Sequence, residues 1–509
     1  SRRVELHSPA GRFTYSYDAN NRITLVRNPQ EDRTTFSYDD ASRRVVKALA
    51  NGTRASFTYD AANQVTRLAN LKSDGTTISS FSYKYDQAGN RTDIAEADGS
   101  RVTYSYDATY RLTAEHRTGT SPYRNTYTYD PTSNRLLKNE DGARTTYAYD
   151  AANQLVTSLD SSGTTTYTFD VDGNQQLVVA PSGNRTTTTW DFENRTTLVE
   201  LPDATRNTML YEPEGLRVQL DDSTGTTQFV WNDQNYLIET DESDVLKAVY
   251  TNEPNVYGDL ISQYRKTNGV WLPSYYHFDA LGSAQQLTAS SEAITDTYVY
   301  NAWGELLAST GTTINPFRYV GQLGYYLDSD TGKVYIRARR YNPVIARWLS
   351  TDPLSFVDGT NLFAPRFVPS RVDPSGTQST LCSGASCCIG VFPGASRGRQ
   401  IADKHCGFFS WSAGNCCTSA QLQIAQECCK SKGEILDSCH WSKKGILCGD
   451  FVFSCKEGDD PCWDDYDDCL LSGLSRLHNR CWDCYLACGG AGGWSKTMNG
   501  LDCAYWNHP

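Results

Sequence analysis

Thr145 to Leu159 reads T-T-Y-A-Y-D-A-A-N-Q-L-V-T-S-L. Two segments that alternate apolar and polar residues flank a short polar stretch, Asp150-Ala151-Ala152-Asn153-Gln154. Period-two alternation bounded by turn residues is the pattern of strands with one buried face, so the stretch predicts a β-hairpin. The Asp after the aromatic is expected to cap the turn, its carboxylate oxygens accepting nearby backbone N–H groups. Tyr-Asp-Ala-Ala-Asn-Gln stands a second time at Tyr59 to Gln64.

The same grammar recurs along the chain. An aromatic followed by an acid occurs at Tyr17-Asp18, Tyr38-Asp39, Tyr59-Asp60, Tyr85-Asp86, Tyr106-Asp107, Tyr129-Asp130 and Tyr149-Asp150. It then decays to Phe169-Asp170, Trp190-Asp191, Tyr211-Glu212 and Trp231-Asn232, the spacing running from 20 to 26 residues and most often 20 or 21. Self-similarity at such a period marks a repeat architecture. A lone hairpin cannot bury its apolar side, whereas stacked units form one continuous ribbon. Residues 1–250 are therefore read as a repeat β-ribbon. Its tyrosines either pack as cross-strand aromatic ladders or stack on sugars, and the ladder is the reading favoured.

Composition supports a folded, strand-rich chain: 32 Tyr, 2 Met and 12% aromatic residues among 509. A net charge of −12 argues against a nucleic-acid-binding surface over the whole molecule. No apolar run is long enough for a membrane-spanning helix, and no basic-plus-apolar signal segment opens the chain. The sequence starts inside the repeat pattern, which leads us to expect a piece of a longer chain with any export signal upstream.

Residues 251–376 lose the period and gain denser motifs. Tyr275-Tyr276-His277-Phe278-Asp279-Ala280-Leu281-Gly282-Ser283 is followed by Tyr298-Val299-Tyr300-Asn301-Ala302-Trp303-Gly304. Asn315-Pro316-Phe317-Arg318-Tyr319, Asp330-Thr331-Gly332-Lys333-Val334-Tyr335 and Arg337-Ala338-Arg339-Arg340-Tyr341-Asn342-Pro343 come next. With the eleven upstream units, these five ordered motifs resemble the RHS/YD-repeat family and its RHS repeat-associated core. The resemblance implies a mainly β fold, a YD-repeat strand ribbon spiralling into a shell, here a partial cocoon. It also implies that the shell holds a variable C-terminal domain and cuts it free.

The residues for that reaction are two Asp-Pro steps on either side of a short linker, Asp352-Pro353 and Asp373-Pro374-Ser375-Gly376. Two carboxylates brought close cannot both ionise cheaply. One then serves as a base toward water while the protonated one polarises a carbonyl. By resemblance, Asp352 and Asp373 are the catalytic pair, Pro374 and Gly376 mark the motif, and the cut falls between Leu381 and Cys382 or directly after the glycine. The alternative is that both steps are only turns, for which these residues suit. The chain also departs from the family's pattern. Asp352-Pro353-Leu354-Ser355 replaces D-P-I-G, Ala346-Arg347 replaces the Gly-Arg before the Trp348-Leu349-Ser350 triplet, and the stretch Asn361 to Pro369 reaches Asp373 early. His277, without a Ser or Cys partner motif, is read as a hydrogen-bonded core histidine. Arg337, Arg339, Arg340 and Arg347 are read as partners of local carboxylates rather than a phosphate site.

From Cys382 the composition changes. All 17 cysteines lie between Cys382 and Cys503, a density that predicts a disulfide scaffold in an oxidising compartment. An odd count leaves one thiol over, and connectivity stays open. N-cap candidates Thr418 and Ser419 precede a helical run from Ala420 to Lys430, and Asp460-Pro461 opens a second, so 377–509 is expected to be small and mainly α. Cys481-Trp482-Asp483-Cys484 with His478 lacks a second clean pair, so no metal or cofactor is expected. His405, His440 and His478 are read as structural.

The sequence thus predicts a secreted or cell-surface RHS-type toxin fragment whose shell encloses its own C-terminal domain, with an immunity protein as the implied neutralising partner. Two alternatives stay open. One is an adhesion or glycan-binding surface protein with an uncleaved cap; the other makes the tail a small secreted enzyme or membrane-active domain.

Overall fold

The computed structural model describes residues 2–365, 369–377 and 380–381, together with four short strands in the tail. The chain divides into two compact units, 1–388 and 389–509. The first is dominated by a single sheet of 29 strands, from β1 (Glu5–Ser8) to β29 (Leu306–Thr310). Every strand pairs antiparallel with its neighbours in sequence. The ribbon does not stop at residue 250. Hairpin geometry persists as far as Thr310, well after the Tyr-Asp signature has faded.

The turn after each aromatic explains the period. Asp18 Oδ1 accepts the amides of Asn20 at 3.0 Å and Arg22 at 2.9 Å, and Asn21 takes a positive φ of 64°. Asp39, Asp60, Asp86, Asp107, Asp130, Asp150, Asp170 and Asp191 accept the i+4 amide in the same way. The expected Asp cap is therefore present, and these amide bonds hold Asp18 and Asp39 below the usual carboxylate range. A bulge at the aromatic accompanies each of these turns. It sets the buried positions of the following strand three apart instead of two: Ile23 and Val26, Val65 and Leu68, Leu112 and Glu115, Arg217 and Leu220.

The aromatics tie successive units together. The hydroxyls of Tyr38, Tyr59, Tyr129 and Tyr211 donate to the carbonyls of Ile23, Arg44, Leu112 and Thr196, one unit back, at 2.6 to 2.8 Å. Trp190 and Trp231 do the same with their indole N–H. Where the turn ends in Arg, its Nε pairs with the turn Asp and its guanidinium lies over the next unit's tyrosine, as Arg22 over Tyr38 at 4.7 Å and Arg43 over Tyr59 at 5.0 Å. These half-buried rings are thus engaged by the backbone and the arginines of the neighbouring unit.

About eleven units bring the ribbon back upon itself. Arg3 hydrogen-bonds Asn232, Asn28 meets Thr251, and Tyr83 accepts the amide of Ala280. Phe13, Tyr15 and Phe36 pack with Ile238, Val249 and Ile261 in one core. β23 (Asn235–Thr240) is buried at every position, because its other face meets a closing segment. That segment includes Phe317 and four short strands, β30 (Tyr326–Asp328), β31 (Lys333–Ile336), β32 (Arg339–Asn342) and β33 (Arg347–Trp348). Phe317, Tyr326 and Tyr335 join Phe229, Tyr236 and Tyr276 in a second core.

Buried charge in the ribbon is matched by this later part of the chain. Arg44 bonds Glu253 through both terminal nitrogens, at 2.9 and 2.5 Å, and reaches Asp259 at 3.2 Å. Burial and the adjacent Glu253 push Asp259 up to about 7. Arg217, fully buried, and Arg340 share the two oxygens of Asp328. Removing one partner of such a pair would strand a buried charge.

In the second unit the described residues form β36 (Leu436–Lys443) with β37 (Gly449–Cys455), and β38 (Thr497–Met498) with β39 (Leu501–Asp502), both antiparallel. The helices expected at 420–430 and after Pro461, and the C-x-x-C at 481–484, lie outside the described residues. No described helix is long and apolar enough to cross a membrane.

Candidate active site

Asp352 follows β33 in a short turn. Asp373 follows β34 (Arg371–Val372). Both are buried, and both reach the same nitrogen: Arg339 Nη2 lies 2.9 Å from Asp352 Oδ2 and 3.2 Å from Asp373 Oδ2. The shortened linker before Asp373, a departure from the family pattern, still delivers the second carboxylate. The two acids do not face each other directly, as their sequence pattern led one to expect. Between them stands a guanidinium, itself stacked on Trp348 with its centre 4.0 Å from the ring centroid.

Each aspartate spends its other oxygen locally. Asp352 Oδ1 accepts the Leu354 amide at 2.8 Å. Asp373 Oδ1 accepts the Thr377 amide and the Ser375 hydroxyl, both at 3.0 Å. The i+4 amide bond at Asp373 repeats the lock used at the Tyr-Asp turns, so the D-P-S-G stretch is built on the ribbon's own turn chemistry. The Asp373 amide in turn donates to Tyr325 Oη at 2.8 Å. Burial holds the Tyr325 phenol well above its ordinary value, so it stays a neutral hydroxyl.

Pro374 is buried and its carbonyl accepts from Arg337 Nη1. The Gly376 carbonyl accepts from Arg339 Nε. Gly376 has φ +73°, and a Cβ there would sit 2.1 Å from the Ile336 carbonyl oxygen. No other residue type fits. Beyond it, β35 (Thr380–Leu381) runs antiparallel to β34, pairing Val372 with Thr380 and Arg371 with Leu381. Leu381 is thus one rung farther from Asp373 than Thr380 is; Cys382 lies outside the described residues.

The remaining candidates resolve as follows. His277 Nε2 contacts Thr288 Oγ1 at 2.9 Å in the core, and burial plus repulsion from Lys47 lowers it to about 3. It is a neutral core histidine. Of the four arginines read as carboxylate partners, Arg339 and Arg340 are such partners. Arg337 and Arg347 pair with no carboxylate among the described residues: their guanidinia bond backbone carbonyls and the Asn134 side chain and lie against aromatic rings. Arg339 itself was placed in the cluster but not in the site. It stands too far along the chain from either aspartate for a local signal to join them.

Comparison with known proteins agrees with this architecture. The family model for the teneurin YD-shell matches residues 2–125, and that for the RHS repeat matches 149–185. The repeats over these residues are thus YD/RHS repeats. The chain is 31% identical over 159 residues to the tRNA3(Ser)-specific nuclease WapA of Bacillus spizizenii, an alignment covering 30% of this chain and 6% of the nuclease. It is 26% identical over 205 residues to double-stranded DNA deaminase toxin A of Burkholderia cenocepacia, covering 34% of this chain and 14% of the toxin. The RHS/YD chain thus corresponds to a small part of these relatives. Among solved structures, a Photorhabdus luminescens Tc holotoxin pore carrying an aspartate-to-alanine change in TccC3 superposes with a TM-score of 0.54 at 17% identity. It covers 74% of this chain and 22% of that one, and the likeness is one of fold.

Proposed function

We propose that this RHS/YD shell is the carrier portion of a polymorphic toxin, and that it frees the cysteine-rich domain by cutting its own backbone after the D-P-S-G motif. The observation that carries the reading is the convergence of Asp352 and Asp373, from two separate turns, on one buried guanidinium. In the reaction, water adds to the scissile carbonyl carbon as one carboxylate accepts its proton. Arg339 supplies fixed positive charge near the developing oxyanion. The proton then passes to the amide nitrogen as the C–N bond breaks, leaving a carboxylate and an amine. Asp352 is the base, and Asp373, in the turn before the cleaved strand, relays the proton from Asp352 to the amide nitrogen. The Leu381–Cys382 bond is the proposed cut.

The relatives' printed activities, on tRNA and on double-stranded DNA, support a toxin as the class. The enclosed C-terminal domain, a secreted or cell-surface location and a neutralising immunity protein follow from that class. Asp352→Asn and Asp373→Asn should each leave one full-length band on a denaturing gel where the wild type yields a C-terminal fragment beginning at Cys382. A wild-type chain that stays intact would leave the adhesion-type surface scaffold as the reading.

A further inference from the structure

Arg337 is a buried cation that no carboxylate among the described residues pairs with. Its guanidinium grips three backbone carbonyls from three separate segments. Nε and Nη2 donate to Gln234 in the ribbon, Nη2 also to Leu323 at 3.0 Å in the closing segment, and Nη1 to Pro374 in the D-P-S-G turn. Its centre lies 4.6 Å from the Tyr257 ring centroid, and Gly324 leaves the space that Nη2 fills. Burial lowers its proton affinity, so the site holds the charge at a cost.

The backbone shows a second cost. Arg337 opens the two-residue turn between β31 and β32 with φ +48°. Left-handed backbone at a residue with a Cβ costs about 1–2 kcal/mol, and glycine would avoid it. A strained and desolvated side chain calls for a functional account. The geometry says what it is. Arg337 holds the Pro374 carbonyl and Arg339 the Gly376 carbonyl, while the Ala338 amide donates to the Ser375 carbonyl at 3.2 Å. Three successive residues of one hairpin therefore grip three successive residues of the turn.

We propose that Arg337 is a positioning residue for self-cleavage: by fixing the Pro374 carbonyl it keeps the Asp373 carboxylate seated on Arg339 and hence beside Asp352. The inference rests on the self-cleavage reading. A lysine offers a point charge without the planar fork, and its three N–H groups cannot reproduce the four bonds that Arg337 makes to these carbonyls. Misplacing a reacting group by about 1 Å costs roughly a hundredfold in rate.

The test is pulse-labelled in vitro translation of the full chain, following the cleaved fraction with time and normalising to the folded fraction on a native gel. Arg337→Lys and Arg337→Gln are compared with Arg340→Lys, a neighbouring buried arginine that pairs with Asp328 outside the site. The Arg337 variants should cleave about a hundredfold more slowly per folded chain, with a rate–pH profile of altered shape. Arg340→Lys should lose folded fraction, yet its profile should superimpose on the wild type after scaling. If the Arg337 variants match the wild-type rate, or if Arg340→Lys slows equally, Arg337 is merely structural and the inference is overturned. A wild-type chain that never cleaves brings down the self-cleavage reading instead.

Discussion

Replacing Gly376 by alanine should abolish self-cleavage while leaving the ribbon intact. The added Cβ would stand 2.1 Å from the Ile336 carbonyl oxygen, with the Arg339 and Ala338 amides at 3.1 and 3.3 Å, whereas ordinary contact begins at 3.4 Å. All three neighbours are backbone atoms of one hairpin, so the turn itself must move away, by roughly 1 Å, to restore contact distance. Asp373 Oδ2 lies 3.2 Å from Arg339 Nη2. Such a movement of the turn breaks this contact, and about 1 Å of misplacement predicts a rate loss of roughly a hundredfold. The positive φ adds about 1–2 kcal/mol of local strain. Gly332→Ala is the control: Gly332 also has a positive φ, 63°, but nothing lies within 4 Å of its Cβ position. Both variants carry the conformational cost and only one the clash. Pulse-chase of the full chain, scored as the half-time of fragment appearance, separates them. If Gly376→Ala cleaved within about threefold of Gly332→Ala, the claim that this turn seats a reacting carboxylate would be wrong.

Three further outcomes test the packing. His277, lowered to about 3 against an ordinary 6.5, is neutral when folded and charged when unfolded in acid, so the stability it contributes is lost as pH falls from 6.5 toward 3. Relative to His277→Gln, the wild type should lose about 2 kcal/mol between pH 7 and pH 5 in urea unfolding, and parallel pH curves would show that the imidazole titrates normally. Glu253→Gln strands the buried Arg44 guanidinium and should cost about 3 kcal/mol; a change under about 1 kcal/mol would mean that Asp259 alone suffices as counter-ion. Tyr129→Phe removes the hydroxyl bond to the Leu112 carbonyl and should cost about 1 kcal/mol, measured the same way, with no loss expected if that bond merely replaces one to water.

The ribbon was legible because its determinants are local. Alternation, the Asp cap and the i+3 residue of positive φ all fall within a single repeat unit, so a window of sequence contains them. The roll-up was legible only through the family resemblance, since the contacts that set it, such as Arg3 with Asn232 or Arg44 with Glu253, join distant parts of the ribbon. For the same reason the ribbon's end was placed at 250: the Tyr-Asp mark fades there, yet the strands continue to Thr310. At the site, both aspartates and Gly376 stood out as Asp-Pro and Pro-Ser-Gly steps. Arg339 did not, because nothing in R-A-R-R-Y tells which guanidinium turns toward the aspartates and which toward Asp328 or a backbone carbonyl. Strand alternation sorts them only once β32 is known to be a strand covered on both sides.

The most direct test of the account is the intact mass of the purified wild-type chain, reduced and denatured. Two species are predicted, a shell fragment ending after the D-P-S-G motif and a cysteine-rich fragment, whose masses add to the full chain plus one water. A single species at the full-length mass from folded protein would contradict it, and Asp352, Arg339 and Asp373 would then be no more than a buried ion-pair clamp.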